Sequence, residues 1–114
     1  MRALAVTGWS GSGKTTLLVA LIKHCVARGE RVAAIKHTHH EINDRNEGDT
    51  ARFLEAGASQ VILTNDREAI QWGTAASVDV VLIEGFKSYH GWPRIDAPMD
   101  VTEAITILDR IAPP

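Results

Sequence analysis

The chain is 114 residues long, with 45% hydrophobic and 23% charged residues and a formal net charge of −2. This is room for one domain and one core, and the composition is that of an ordinary globular protein rather than a disordered or membrane-embedded one. The faint negative charge excludes the basic field that drives binding to a polyanionic backbone, so nucleic acid is not an expected partner.

From Met1 and Arg2 the chain runs straight into an apolar segment and then glycines, without the long apolar stretch of a leader or a membrane span. Its lone cysteine, Cys25, cannot form an internal disulfide and falls in a helix expected to be buried, where it reads as packing in a reducing compartment. A cytoplasmic protein without a membrane partner is the expectation.

Ala3 to Thr7 reads as a strand buried on both faces, ending in glycine. Leu17, Leu18, Leu21, Ile22, Cys25 and Val26 recur at helical spacing across Thr15 to Arg28, and Gly29 is placed to stop that helix. Arg31 to Lys36 predicts a second strand, followed by a polar loop from His37 to Gly48. Asp49 is placed to cap a helix carrying Ala51, Phe53, Leu54 and Ala56 and stopped at Gly57, with a strand at Gln60 to Leu63 after it. Between Thr64 and Ser77 the pattern is mixed, and Asp66 could cap a short helix burying Ala69, Ile70 and Trp72. Val78 to Ile83 is the strongest strand in the chain and ends in Glu84 and Gly85. Tyr89 to Pro98 predicts a loop with a short extended piece at Arg94 to Asp96, and Asp100 with Glu103 predicts the capped start of a helix striped by Val101, Ala104, Ile105, Leu108, Ile111 and Ala112.

Strands alternating with helices imply an α/β sandwich on a mostly parallel sheet, because each parallel pair needs a right-handed crossover. Ligands of such sheets gather outside the carboxyl ends of the strands. Three predicted strands end there in unusual polar sequence: the first in a glycine loop, the second in KHTHH, the last in EGFK.

The glycine loop satisfies GxxxxGK[ST] with Gly8, Gly13, Lys14 and Thr15. Glycines let the backbone wrap phosphate oxygens, and the helix N-terminus adds an anion-binding dipole. Lys14 would neutralise the β and γ phosphates, and the Thr15 hydroxyl would ligate magnesium. The bland alternative, a glycine turn with an exposed lysine, loses weight once the flanking strand and helix are counted. Trp9 in the loop reads as a lid over the strand tips in preference to a base-stacking residue.

Glu84 stands where phosphate-loop proteins place an acidic group to hold magnesium, directly or through water, against the alternative of a solvated strand end. Lys87 nearby is a second phosphate-facing charge or simply an exposed lysine. His37 and His39 share one face of an extended segment and His40 takes the other, which with Cys25 far away disfavours a closed zinc site and leaves a hydrogen-bonding or substrate-facing role, or plain surface histidines. Asp44 and Asp49 flank the loop, where they could hold magnesium or orient water; for Asp49 a helix cap is an equal alternative.

GWSGSGKTTLL, IKHTHH, GDTARFLEAGA and VVLIEGFK with a following Pro-Arg-Ile segment together resemble the molybdopterin-guanine dinucleotide biosynthesis protein B (MobB) family over about Arg2 to Asp96. The resemblance implies a three-layer P-loop NTPase-like sandwich of the signal-recognition and MinD-like class. It also implies GTP and Mg2+ as ligands, slow hydrolysis, a homodimer, and assistance to the partner enzyme that joins guanosine monophosphate to molybdopterin. On this mapping Gly11, Ser12, Gly13, Lys14, Thr15 and Thr16 bind phosphate, Glu84 takes the acidic role at the magnesium that Thr15 also ligates, and the KHTHH histidines, His37 and His39 among them, lie at the catalytic edge. Where the family carries an aspartate-rich stretch, this chain reads EINDRNEGD, leaving Asp44 as the close counterpart of its acidic residue. The expected organisation is a single nucleotide-binding domain over residues 1–114, short by the further strand and helix that help form the family's base pocket. No N-K-x-D motif is present, so GTP over ATP rests on the resemblance. A small-molecule or nucleoside kinase is the alternative, disfavoured because Arg45, Arg52 and Arg67 are scattered rather than clustered in a lid, and a nucleotide-binding scaffold without turnover is a third reading.

Overall fold

The computed structural model describes residues 1–39, 42, 48–74, 77–86 and 90–112. Its elements run β1 (Arg2–Thr7), α1 (Lys14–Ala27), β2 (Val32–His37), α2 (Gly48–Glu55), β3 (Gln60–Thr64), β4 (Ala69–Gly73), β5 (Val80–Glu84), β6 (Arg94–Asp96) and α3 (Val101–Arg110). The strands form one six-stranded sheet in the order β4-β3-β2-β5-β1-β6. All pairings are parallel except β3 with β4. This is the mostly parallel α/β sheet that the alternation of elements predicts.

Register decides which side chains share a face, because neighbouring residues on paired strands point the same way. Leu4 pairs with Leu82, and Ala34 pairs with both Leu82 and Val61. All four belong to the core cluster with Leu18, Leu21 and Ile22 of α1, Phe53 of α2 and Leu108 of α3. The three described helices therefore share this face, α1 lying between the other two and in contact with both. At the far end from the strand tips the guanidinium of Arg2 donates to the Leu108 carbonyl at 3.0 Å and pairs with Glu30 at 2.5 Å, tying β1 to α3.

Most boundaries fall within a residue or two of the sequence reading. Helix α1 starts at Lys14, one residue early, and Gly29 with φ of 79° follows its end as expected. Asp100 caps α3, its Oδ2 accepting from the amides of Thr102 and Glu103. The strongest strand begins at Val80 and takes in Glu84. β6 forms where the short extended piece was expected and pairs with β1.

The short helix that Asp66 could have capped does not form among the described residues after Thr64. Asn65 Oδ1 instead accepts from the amides of Arg67 and Glu68, closing a turn that leads into β4 as the antiparallel edge strand. Ile70 and Trp72 are the half-buried residues of β4, and their spacing of two is the strand period. Asp66 is thus a turn residue, not a cap. No helix among the described residues is long and apolar enough to cross a membrane.

Candidate phosphate and cation site

The loop between β1 and α1 is built on glycines in conformations closed to other residues. Gly8, Gly11 and Gly13 have φ of 148°, 80° and 91°. A Cβ on Gly8 would stand 2.5 Å from Ser12 Oγ and 2.9 Å from the Ala97 carbonyl, so this turn admits no side chain there. Gly13 serves as the N-cap of α1 with no side chain capping the helix, and no acidic residue occupies the first turn. The first-turn amides consequently have no side-chain cap and are open to an anion or water. Lys14 lies back across the loop, its ammonium donating to the carbonyls of Gly8 at 3.0 Å and Trp9 at 3.2 Å.

Three elements deliver oxygen ligands beside this loop. The Thr15 hydroxyl, at the head of α1, is 3.2 Å from Asp49 Oδ2 and 3.2 Å from Glu84 Oε1. Glu84 ends β5 and pairs in register with Lys36 of β2, so both side chains project to the helix-bearing face. The Lys36 ammonium lies 3.8 Å from Glu84 Oε1 and donates to Asp49 Oδ2. Asp49 sits in the first turn of α2, which is anchored by Phe53 and Thr50, both buried. Asp49 lies inside α2 and its carboxylate faces the Thr15 hydroxyl and the Lys36 ammonium.

Glu84 is only 4% exposed, and that burial, with Asp49 close by, pushes its pKa above the ordinary glutamate value against the opposing pull of Lys36, Thr15 and Lys14. For Asp49 burial also acts upward, but the hydrogen bond and charge of Lys36 and the hydrogen bond from Thr15 outweigh it and hold the carboxyl below its usual value. An oxygen-only set of one hydroxyl and two carboxylates is the chemistry a hard divalent cation takes alongside phosphate oxygens and water, and the Lys36 ammonium lodged against those carboxylates marks the place as one that holds positive charge. The residues fit Mg2+.

One cavity of about 590 Å³ gathers the predicted residues. Gly11, Gly13, Lys14, Thr15 and Thr16 line it from the glycine loop, His37 and His39 from the end of β2, and Glu84 from β5. Ser12 does not line it: its amide donates to the Trp9 carbonyl at 3.1 Å and its hydroxyl is buried without a hydrogen-bond partner among the described residues. Asp44, Lys87 and His40 lie outside the described residues. No group of three metal-ligating His, Cys, Asp or Glu side chains occurs among the described residues. Of the three scattered arginines, Arg52 lines the cavity, Arg67 does not, and Arg45 is outside the described residues.

His37 and His39 meet edge to face with ring centres 4.9 Å apart, as expected of residues on one face. His37 also packs at 4.4 Å against Phe86, which has φ of 56° just after Gly85, and Phe86 meets Trp92. A Cβ on Gly85 would come within 3.1 Å of His37, so the turn after Glu84 is pressed against the end of β2. Trp9 is 61% exposed and walls a second cavity of about 460 Å³ with Thr7, Arg94 and Asp96.

Lys36 is the site residue that sequence reasoning passed over. It reads as the last residue of an apolar strand, and only the pairing of β2 with β5 brings it against Glu84.

Residues 3–104 match the family described as molybdopterin guanine dinucleotide synthesis protein B, MobB. Over 100 residues the chain is 49% identical to the molybdopterin-guanine dinucleotide biosynthesis adapter protein of Haemophilus influenzae, covering 74% of this chain and 56% of that protein. Against the adapter protein of the same description from Escherichia coli it is 40% identical over 102 residues, covering 74% and 58%. The chain spans little more than half the length of these curated relatives. Two solved structures share the fold: Bacillus subtilis MobB, with a TM-score of 0.53 at 20% identity over 95% of this chain and 74% of that one, and a MobB homologue from Bacillus stearothermophilus, with 0.50 at 22% over 98% and 73%.

Proposed function

This chain belongs to the MobB family, and from that premise we propose that it is a GTP-binding accessory protein of molybdenum cofactor assembly with slow, Mg2+-dependent GTP hydrolysis. The observation that carries the reading is the convergence of Thr15, Asp49 and Glu84 beside an uncapped helix N-terminus in a single cavity.

The loop amides and Lys14 would bind the β and γ phosphates, and Thr15 with Glu84 and Asp49 would hold Mg2+. Bound there, the metal would neutralise charge developing on the phosphate oxygens. Glu84 and Asp44 would orient the attacking water, and His37, His39 and Lys87 would line the catalytic edge. The preference for GTP over ATP rests on the family. The partner would be the enzyme that transfers guanosine monophosphate to molybdopterin, met in the cytoplasm by a homodimer of this protein.

Calorimetric titration of the chain with GTP and ATP, with and without Mg2+, tests the proposal. Micromolar or tighter GTP binding that strengthens with Mg2+ and is lost in Lys14→Ala is expected. No GTP binding, or undiminished binding in Lys14→Ala, contradicts it.

A further inference from the structure

Lys36 has no role in the phosphate loop as its motif defines it, yet its ammonium contacts the oxygen cluster. Its strand position puts it in register with Glu84, so its side chain emerges beside that carboxylate. Its ammonium donates to Asp49 Oδ2 and stands 3.8 Å from Glu84 Oε1, and the Thr15 hydroxyl is 3.2 Å from each of the same two oxygens. The side chain is only 17% exposed, and Glu84 beside it 5%. Glu84 is almost shut off from solvent, and Asp49, whose side chain is 36% exposed, shares the Thr15 hydroxyl with it, so a positive charge beside the pair is favoured. The Lys36 ammonium supplies that charge from within the chain.

We infer that Lys36 is the built-in counter-ion of the cation subsite: it holds Asp49 and Glu84 together when no metal is bound, yields its place to a divalent cation, and then pairs with the nucleotide's terminal phosphate. The inference rests on the nucleotide-binding reading above for its last step and on the geometry alone for its first. A divalent cation at the carboxylates and an ammonium in contact with the same oxygens repel each other, which favours departure of the ammonium when the cation binds. Lys36 lines the same cavity as Lys14 and Thr15, and the anion arriving in that cavity is the phosphate chain. Metal alone must therefore displace a satisfied ammonium, whereas metal with nucleotide gives that ammonium a new partner. The result is positive coupling between cation and nucleotide, in which each binds weakly without the other.

The test is Mn2+ binding to the nucleotide-free full chain, followed by electron paramagnetic resonance, in wild type, Lys36→Met and Lys36→Met/Glu84→Gln. Lys36→Met is expected to bind Mn2+ at least tenfold more tightly than wild type, and the added Glu84→Gln to abolish the gain. Lys36→Gln, which keeps a donor for Asp49 but no charge, serves in the same way if the methionine variant does not fold. Unchanged Mn2+ affinity in folded Lys36→Met or Lys36→Gln overturns the inference even if nucleotide binds as proposed. A gain in Mn2+ affinity without any GTP binding upholds the counter-ion role and overturns the nucleotide reading. Where GTP binds, Lys36→Met should lower the ratio of GTP to GDP affinity about tenfold, and an unchanged ratio overturns the transfer of Lys36 to the terminal phosphate.

Discussion

The Thr15 hydroxyl lies 3.2 Å from Glu84 Oε1, joining the head of α1 to the end of β5 across 69 positions of sequence. Thr15→Ala removes a cation ligand while leaving the backbone amides and Lys14 in place. Nucleotide affinity in Mg2+ is expected to fall about tenfold or more, roughly 1.4 kcal/mol, and affinity in excess EDTA to stay the same. Calorimetry in the two buffers separates the outcomes, and an equal loss in both would assign Thr15 to phosphate rather than metal.

Glu84 should be held at a cost to the metal-free fold. Its pKa is raised by burial, so its favourable contribution belongs to the protonated form, is complete below the ordinary glutamate value, and is lost as pH rises through the folded value. Glu84→Gln is therefore expected to stabilise the metal-free protein at pH 8 by about 1 kcal/mol and to flatten its stability between pH 4 and 8, while abolishing metal-dependent nucleotide binding. Denaturant titrations across that range measure it, and destabilisation at pH 8 would contradict it.

How much of this was legible in advance differs by element. The glycine loop could be read because each of its residues has a local reason, such as the positive φ of Gly11 and Gly13. β4 was missed because Asn65 makes its turn through side-chain acceptance from two amides, which no hydrophobic period reports. Lys36 and Asp49 were not separable from ordinary strand-end and helix-start residues, since what singles them out is the pairing of β2 with β5 and the docking of α2.

That docking depends on Phe53, which is fully buried and, with Thr50, makes up the buried side of an eight-residue helix. Phe53→Ala is expected to cost about 3–5 kcal/mol of stability. Because α2 carries Asp49, the substitution should also weaken metal-dependent nucleotide binding in whatever fraction remains folded. Chemical denaturation followed by calorimetry checks both, and a loss below about 1 kcal/mol would show that α2 is not held by this side chain.

Cys25 is fully buried, and its thiol is pushed up to about 11, first by burial and then by the charge of Glu30. Iodoacetamide at pH 8.5 should leave it unmodified in the native protein and alkylate it on unfolding. A raised folded value also means that the stability carried by the neutral thiol is complete below about pH 9 and declines as pH rises toward about 11. Cys25→Ala should remove that alkaline decline, and rapid native alkylation at pH 8.5 would contradict the burial.

In the proposed site, phosphate sits on the glycine loop with a divalent cation between Thr15, Asp49 and Glu84. A crystal structure with Mn2+ and a non-hydrolysable GTP analogue tests it most directly, because the anomalous signal of manganese locates the metal without interpretation. The expected result is a single strong peak within ligand distance of Thr15 Oγ1, coordinated directly or through water by Glu84 and Asp49, with the terminal phosphates on the amides of Gly13 to Thr15. Manganese bound instead at His37 and His39, or an analogue seated away from the glycine loop, would contradict it.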